Sequence, residues 1–196
     1  MSNRIAIGVL TGGQSTRMGF PKELVYDNWE QGKPETMLER AVRELDFFED
    51  KYLSMNKEQT YSFPNWQNVI DEFEQIGPMG GILSLLNKAN AQGVDAVMVV
   101  AVDMPGFSRK EALEMLNAYQ GEDVMLARVN QILQPLAGIY RVSCIEKIRE
   151  KIQNKELRVR KIFEEMPNGK AWDTKNEKCY QNVNSPEQID AFFQET

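Results

Sequence analysis

Two stretches of this chain leave little choice of fold. Ile5-Ala6-Ile7-Gly8-Val9-Leu10 and Ala96-Val97-Met98-Val99-Val100-Ala101-Val102 are short, continuously apolar and rich in β-formers. An unbroken apolar run, rather than an alternating one, suits a strand covered on both faces, as in a parallel sheet. The first run stops at Thr11-Gly12-Gly13 and the second at Asp103, followed by Met104-Pro105-Gly106. Weaker strands are expected at Tyr52 to Met55, Val69-Ile70, Val124 to Ala127, Leu136 to Tyr140 and Tyr180 to Val183.

Helices are marked by their starts. Thr36 with Glu39, Ser108 with Glu111, Ser143 with Glu146 and Ser185 with Gln188 all have capping-box spacing, and Pro186 stands at a first helical position. Apolar faces follow at helical intervals: Leu38, Val42 and Leu45; Ala112, Met115 and Leu116; Ile145, Ile148 and Ile152. Another helix is expected at Ile82 to Leu86, after Gly80-Gly81. Strands alternating with helices predict an α/β chain, a three-layer α/β/α sandwich around a mainly parallel sheet. At 196 residues and 42% hydrophobic content, one domain spanning 1–196 is expected.

Composition narrows the chemistry. With no histidine, Ser-His-Asp and Cys-His catalysis and most zinc chemistry are excluded, so carboxylates, Lys, Arg and backbone amides must serve. Cys144 and Cys179 are too far apart in sequence for a metal motif and read as buried or incidental thiols. A net charge of -6 argues against a general field that gathers nucleic acid or an anionic membrane. With no long apolar run and no cleavable signal pattern, a cytoplasmic protein is expected.

In α/β sheets ligands collect at the carboxyl ends of the strands, where both Gly12-Gly13 and Asp103 fall. Leu10 to Lys22 reads LTGGQSTRMGFPK: three glycines, Ser15, and the cations Arg17 and Lys22. Backbone amides and cations in that mixture can cradle phosphate oxygens, although glycines also make ordinary tight turns. The pattern is neither Walker A nor GxGxxG. Asp103, leaving a buried strand at the ligand edge, is a natural Mg²⁺ ligand, or else a turn residue before Pro105. Asp71 opens the acidic run DEFE, in which Glu72 and Glu74 read as solvated surface. Trp29, Trp66 and Trp172 read as packing residues. The polar stretch Asp27 to Pro34 has no functional account.

LTGGQSTRMGFPK resembles the signature L-A-G-G-x-S-x-R-M-G-x-D-K of the molybdenum cofactor guanylyltransferases, the MobA family, in spacing from Leu10 to Lys22. Asn56, Asp71, GPMGG at Gly77 to Gly81, VDMP at Val102 to Pro105, QPLAGIYR at Gln134 to Arg141 and NVNSPEQ at Asn182 to Gln188 resemble further family segments in the same order. The resemblance implies a Rossmann-like nucleotidyltransferase fold of the nucleotide-diphospho-sugar transferase type. It places Leu10, Thr11, Gly12, Gly13, Lys22, Asn56, Asp71 and Asp103 around GTP, with Asp103 also holding Mg²⁺. Arg17, Gly19, Gly77, Gly81, Arg158, Asn182 and Asn184 fall near the molybdopterin or the reacting phosphates, and LRVRKIF can be aligned on Arg160 instead of Arg158.

The implied reaction transfers GMP from GTP to molybdopterin or its molybdenum-loaded form and releases pyrophosphate, with Arg17, Lys22 and Asp103 as catalytic residues. Implied partners are GTP, the pterin, and the biosynthetic or recipient proteins of the molybdenum cofactor. Three positions depart from the signature: Thr11 for Ala, Thr16 for a frequent second Arg, and Pro21 for Asp. Pro21-Lys22 also resembles the molybdopterin cytidylyltransferases, whereas Gly12-Gly13 and QPLAGIY resemble the guanylyl enzymes. Another small nucleotidyltransferase and a non-catalytic nucleotide-binding domain stay open as alternatives.

Overall fold

The computed structural model describes residues 3–11, 26–27, 35–73, 76–184, 188 and 191–192. In chain order its elements are β1 (Ile5–Leu10), β2 (Tyr26–Asp27), β3 (Glu35–Thr36), α1 (Met37–Leu45), β4 (Lys51–Met55), β5 (Gln67–Ile70), α2 (Pro78–Ala91), β6 (Ala96–Ala101), α3 (Arg109–Ala118), β7 (Val124–Val129), β8 (Ile132–Arg141), α4 (Ile145–Gln153), α5 (Arg160–Glu165) and β9 (Gly169–Asp173). Among the described residues one seven-stranded sheet runs β5-β4-β1-β6-β8-β7-β9, and β2 pairs with β3 in a separate ribbon. β5, β4, β1 and β6 are mutually parallel. β8 alone runs against its neighbours, and β9 pairs parallel with β7.

The two apolar runs lie side by side at the centre. β1 and β6 pair from Ile5 with Ala96 to Leu10 with Ala101, and the pairing is unbroken. Side chains alternate across the pleat. Ile7, Val9, Met98 and Val100 face a core completed by Met37, Leu38 and Leu45 of α1 and Ala112 and Met115 of α3. Ala6, Leu10, Val97 and Val99 face a second core built from Leu83, Leu85 and Leu86 of α2 and Ile148 of α4. Both faces are therefore dry, which is why these strands are apolar throughout, and the expected mainly parallel three-layer arrangement is what the chain adopts.

The four capping-box spacings have different outcomes. At α1 the box is complete: Glu39 N donates to Thr36 Oγ1 (3.1 Å) and Thr36 N to Glu39 Oε2 (2.7 Å). At α3, Ser108 Oγ accepts from Glu111 N, but the Glu111 carboxylate is turned to other partners. At α4 the expected Ser143 cap is absent. A 3-10 turn, Val142–Cys144, leads into the helix, and the Ser143 hydroxyl donates to Asp123 instead. The start at Ser185 lies outside the described residues, although Gln188 Oε1 does accept from Asn184 N.

One other expectation is corrected. Tyr180 to Val183 is not a strand: Tyr180 ends a 3-10 turn, Glu177–Tyr180, and the residues after it make one backbone bond to a loop rather than a ladder. Arg158 lies in the loop before α5. β9, half-buried, was not expected at all. Trp66 is buried and Trp172 half-buried against the first core, while Trp29 lies outside the described residues. Cys144 and Cys179 are buried free thiols. β2 and β3 bracket the polar stretch, whose residues 28–34 are also outside the described set. Among the described residues no helix is long and apolar enough to cross a membrane.

Because the α1 cap satisfies two helix-end amides at once, Thr36→Ala should lower unfolding stability by ~1 kcal/mol in urea denaturation, with an unchanged m-value.

Candidate functional site

The carboxyl ends of β5, β4, β1 and β6 stand in a row, and the residues that follow them are tied to one another. Leu10, buried at the end of β1, accepts Val102 N through its carbonyl (3.1 Å). Thr11 donates twice to the Ser54 carbonyl on β4, from its amide at 3.1 Å and its hydroxyl at 2.7 Å, and is fully buried. That hydroxyl is the physical reason for Thr in place of Ala: it fastens the end of β1 to its neighbour. Asp71 N, beyond β5, donates to Met55 O at 2.8 Å. The row thus continues from Asp71 through Ser54 and Thr11 to Leu10 and the loop after β6.

Asp71 is held by its side chain as well. Ser54 Oγ donates to Asp71 Oδ1 at 2.6 Å. Burial pushes the Asp71 carboxyl above its ordinary value, and the Ser54 hydroxyl opposes this only in part. Gly81, in the first turns of α2, lies directly over this pair. A Cβ there would stand 2.7 Å from Ser54 Oγ and 2.8 Å from Leu10 Cδ2, so glycine lets the helix start close to the strand ends. Gly77 caps the same helix at φ 68° and ψ -158°, a conformation that essentially only glycine adopts, with Pro78 next to it. The start of α2 therefore faces the row, where helix amides favour anionic groups.

Asn56, after β4, closes an Asx turn: its Oδ1 accepts Glu58 N (2.9 Å) and Gln59 N (3.0 Å). Its carbonyl end is committed locally, and its amide nitrogen is the end that can meet a ligand. Asn56 N also donates to Gln59 Oε1, which lies 3.3 Å from Thr11 Oγ1.

Asp103 stands two residues beyond β6, partly buried. Its carbonyl accepts Val183 N at 2.8 Å, and the next residues are pinned by Arg40 Nε donating to Pro105 O at 2.7 Å. Val183 is fully buried between exposed Asn182 and Asn184, so both amides stand beside the Asp103 loop. Among the described residues no three acidic, Cys or His side chains cluster. Asp103 itself offers a hard carboxylate just beyond a strand end, the kind of donor that Mg²⁺ shares with phosphate oxygens.

The structure brings together Leu10, Thr11, Asn56, Asp71, Gly77, Gly81, Asp103, Asn182 and Asn184. It does not bring in Arg158, whose largely exposed side chain pairs with Glu156 at 3.4 Å. The alternative, Arg160, pairs with Glu164 on its own helix. Gly12, Gly13, Arg17, Gly19 and Lys22 lie outside the described residues. Ser54, Gln59 and Val183 join the site without having been anticipated. A serine inside the strand KYLSM was the available signal for the first, because a polar residue there needs a partner.

Since the folded state holds the Asp71 proton more tightly than the unfolded chain, this residue destabilises the fold once pH exceeds its ordinary value of 3.8. Asp71→Asn, whose amide oxygen still accepts from Ser54, should melt at a higher temperature than the parent at pH 7, and the gap should close below about pH 4 in a melting series.

The MobA-like NTP transferase domain matches this chain over residues 7–170, a span that holds the carboxyl end of every strand of the row. A probable molybdenum cofactor guanylyltransferase of Clostridium perfringens is 27% identical, with 90% of each chain covered. One of Pelotomaculum thermopropionicum is 32% identical over 77% of this chain and 70% of that protein. The crystal structure of molybdopterin-guanine dinucleotide biosynthesis protein A from Archaeoglobus fulgidus superposes with a TM-score of 0.76 at 18% identity, covering 96% of this chain and 97% of the other, and so shares the fold. With that span matched and the strand-end row built as described, the chain belongs to the family of MobA-like NTP transferase domains.

Proposed function

We propose that this chain is a molybdenum cofactor guanylyltransferase, which joins GMP from GTP to molybdopterin or its molybdenum-loaded form and releases pyrophosphate. The observation that carries the reading is the hydrogen-bonded row of strand ends from Asp71 through Ser54 and Thr11 to Leu10 and the Asp103 loop, with Val183, between Asn182 and Asn184, bonded to Asp103. The names of the relatives agree with it.

A terminal phosphate oxygen of the pterin attacks the α-phosphorus of GTP. The new P–O bond forms as the bond to the β-phosphate oxygen breaks, and pyrophosphate leaves with the electron pair. The nucleophile is already an anion, so no general base is needed and a chain without histidine suffices. What remains is positioning and charge compensation. Asp103 would hold Mg²⁺, which offsets charge on the phosphate oxygens. Thr11 fixes where the segment carrying Gly12, Gly13, Arg17, Gly19 and Lys22 begins, and the two cations of that segment neutralise the triphosphate and the leaving group. Asp71, ionised, accepts adjacent N–H donors, which guanine offers on one edge and cytosine does not. Asn182 and Asn184 face the pterin phosphate. The work is done in the cytoplasm.

One observation favours a second nucleotide: Pro21 before Lys22 resembles the cytidylyl branch. Purified protein with molybdate-loaded molybdopterin and Mg²⁺ should release pyrophosphate from GTP in preference to CTP, and Asp103→Ala should lose roughly 10²–10³-fold or more of that rate while keeping its melting temperature. Preference for CTP would move the chain to the cytidylyl branch. GTP binding without release would leave a binding domain.

A further inference from the structure

Glu111 carries the Ser-x-x-Glu signature of a capping box, yet its carboxylate does not return to the helix start. Glu39 in α1 does so; Glu111 in α3 is 1% exposed and accepts instead from three side chains more than sixty residues away. Thr174 Oγ1 donates to Oε1 at 2.8 Å, Tyr180 OH to Oε1 at 2.9 Å and Asn176 Nδ2 to Oε2 at 2.9 Å. A buried carboxylate persists only where its lone pairs are matched. All three donors belong to the segment that leads into Asn182 and Asn184.

The same segment touches the Asp103 loop at two more places. The Lys178 carbonyl lies against Gly106 so closely that a Cβ on Gly106 would stand 2.2 Å from it. Val183 N donates to Asp103 O. The Tyr180 ring also meets Phe107 edge-on, with centroids 5.8 Å apart. The loop from Val102 to Ser108 is thus held from one side by Arg40 of α1 and from the other by residues 174–183, and Glu111 is the charge on which that second side converges.

We propose that Glu111 is a positioning residue, which through Thr174, Asn176 and Tyr180 sets the placement of Asp103 relative to Asn182 and Asn184, and hence the metal and the acceptor but not the metal-independent contacts of the nucleotide. The inference rests on the function proposed above for Asp103 and the two asparagines. Glu111→Gln keeps the shape and replaces one accepting oxygen by a donor that faces other donors. Tyr180→Phe keeps the buried ring and removes one of the three hydrogen bonds.

The test measures three quantities on the full chain: Mn²⁺ binding in the presence of GTP by electron paramagnetic resonance, GTP binding without divalent metal, and KM for the acceptor. In Glu111→Gln, Mn²⁺ affinity should fall ~10-fold or more and acceptor KM should rise, while affinity for GTP without divalent metal stays within about twofold. Tyr180→Phe should move the same quantities in the same direction by a smaller factor, and it decides the matter if Glu111→Gln does not fold. A lower melting temperature in both folded variants with metal binding and acceptor KM unchanged would reduce Glu111 to a structural role and overturn the inference. A wild-type protein that neither binds Mn²⁺ with GTP nor turns over would overturn the proposed function, and this inference with it; a working wild type matched by its variants overturns this inference alone.

Discussion

β1 and β6 are buried on both faces, so their backbone amides and carbonyls have no water to turn to and must be met by neighbouring strands. The in-register parallel pairing that results sets Leu10 beside Ala101. A slip of one residue would carry every side chain of a strand to the opposite core, exchanging the partners of Ile7 and Val9 for those of Ala6 and Leu10. Register is therefore fixed by packing alone. Its consequence is spatial: Thr11 and Val102 leave the sheet at the same level, side by side, with Asp103 one residue further on.

The rest of the edge is arranged around that pair by groups that serve folding and ligand contact together. Ser54 gives its carbonyl to Thr11 and its hydroxyl to Asp71. Gly81 is small because Ser54 and Leu10 lie beneath it. Asp71 is kept partly out of water, at a cost to stability, where a ligand's N–H groups can replace the lost solvent. In the proposed function Arg17 and Lys22 supply the cations that a triphosphate needs, and a chain with a net charge of -6 would then gather an anionic substrate by local rather than general field.

Features that follow from local chemistry were legible in the sequence. The two apolar strands and the Thr36 cap each depend on residues within a few positions of one another, whereas the helix expected only after Gly80-Gly81 already begins at Pro78. Features that depend on distant partners were not. Glu111 looks like Glu39 in sequence but is drawn away by Thr174, Asn176 and Tyr180. Ser143 looks like a cap but is drawn to Asp123, whose strand neighbour Val124 lies deep in the sheet. Tyr180 to Val183 reads as a strand, yet Tyr180 is held by Glu111 and Val183 by Asp103, which leaves no ladder to form. β9 escaped notice because GKAWD gains its strand geometry from pairing with β7, not from its own pattern. That Asp71 and Asp103 stand at neighbouring strand ends was legible, and that Arg158 lies away from them was not.

The account's central claim is that one nucleotide lies along the strand ends from Asp71 to Asp103. A crystal structure of the protein with a non-hydrolysable GTP analogue and Mg²⁺ tests it most directly. The account predicts the guanine edge against Asp71, the triphosphate over the start of the segment after Thr11, and the metal on the Asp103 carboxylate with phosphate oxygens completing its shell. A nucleotide bound away from this row, or one lying along it with the metal held by other residues, would contradict it.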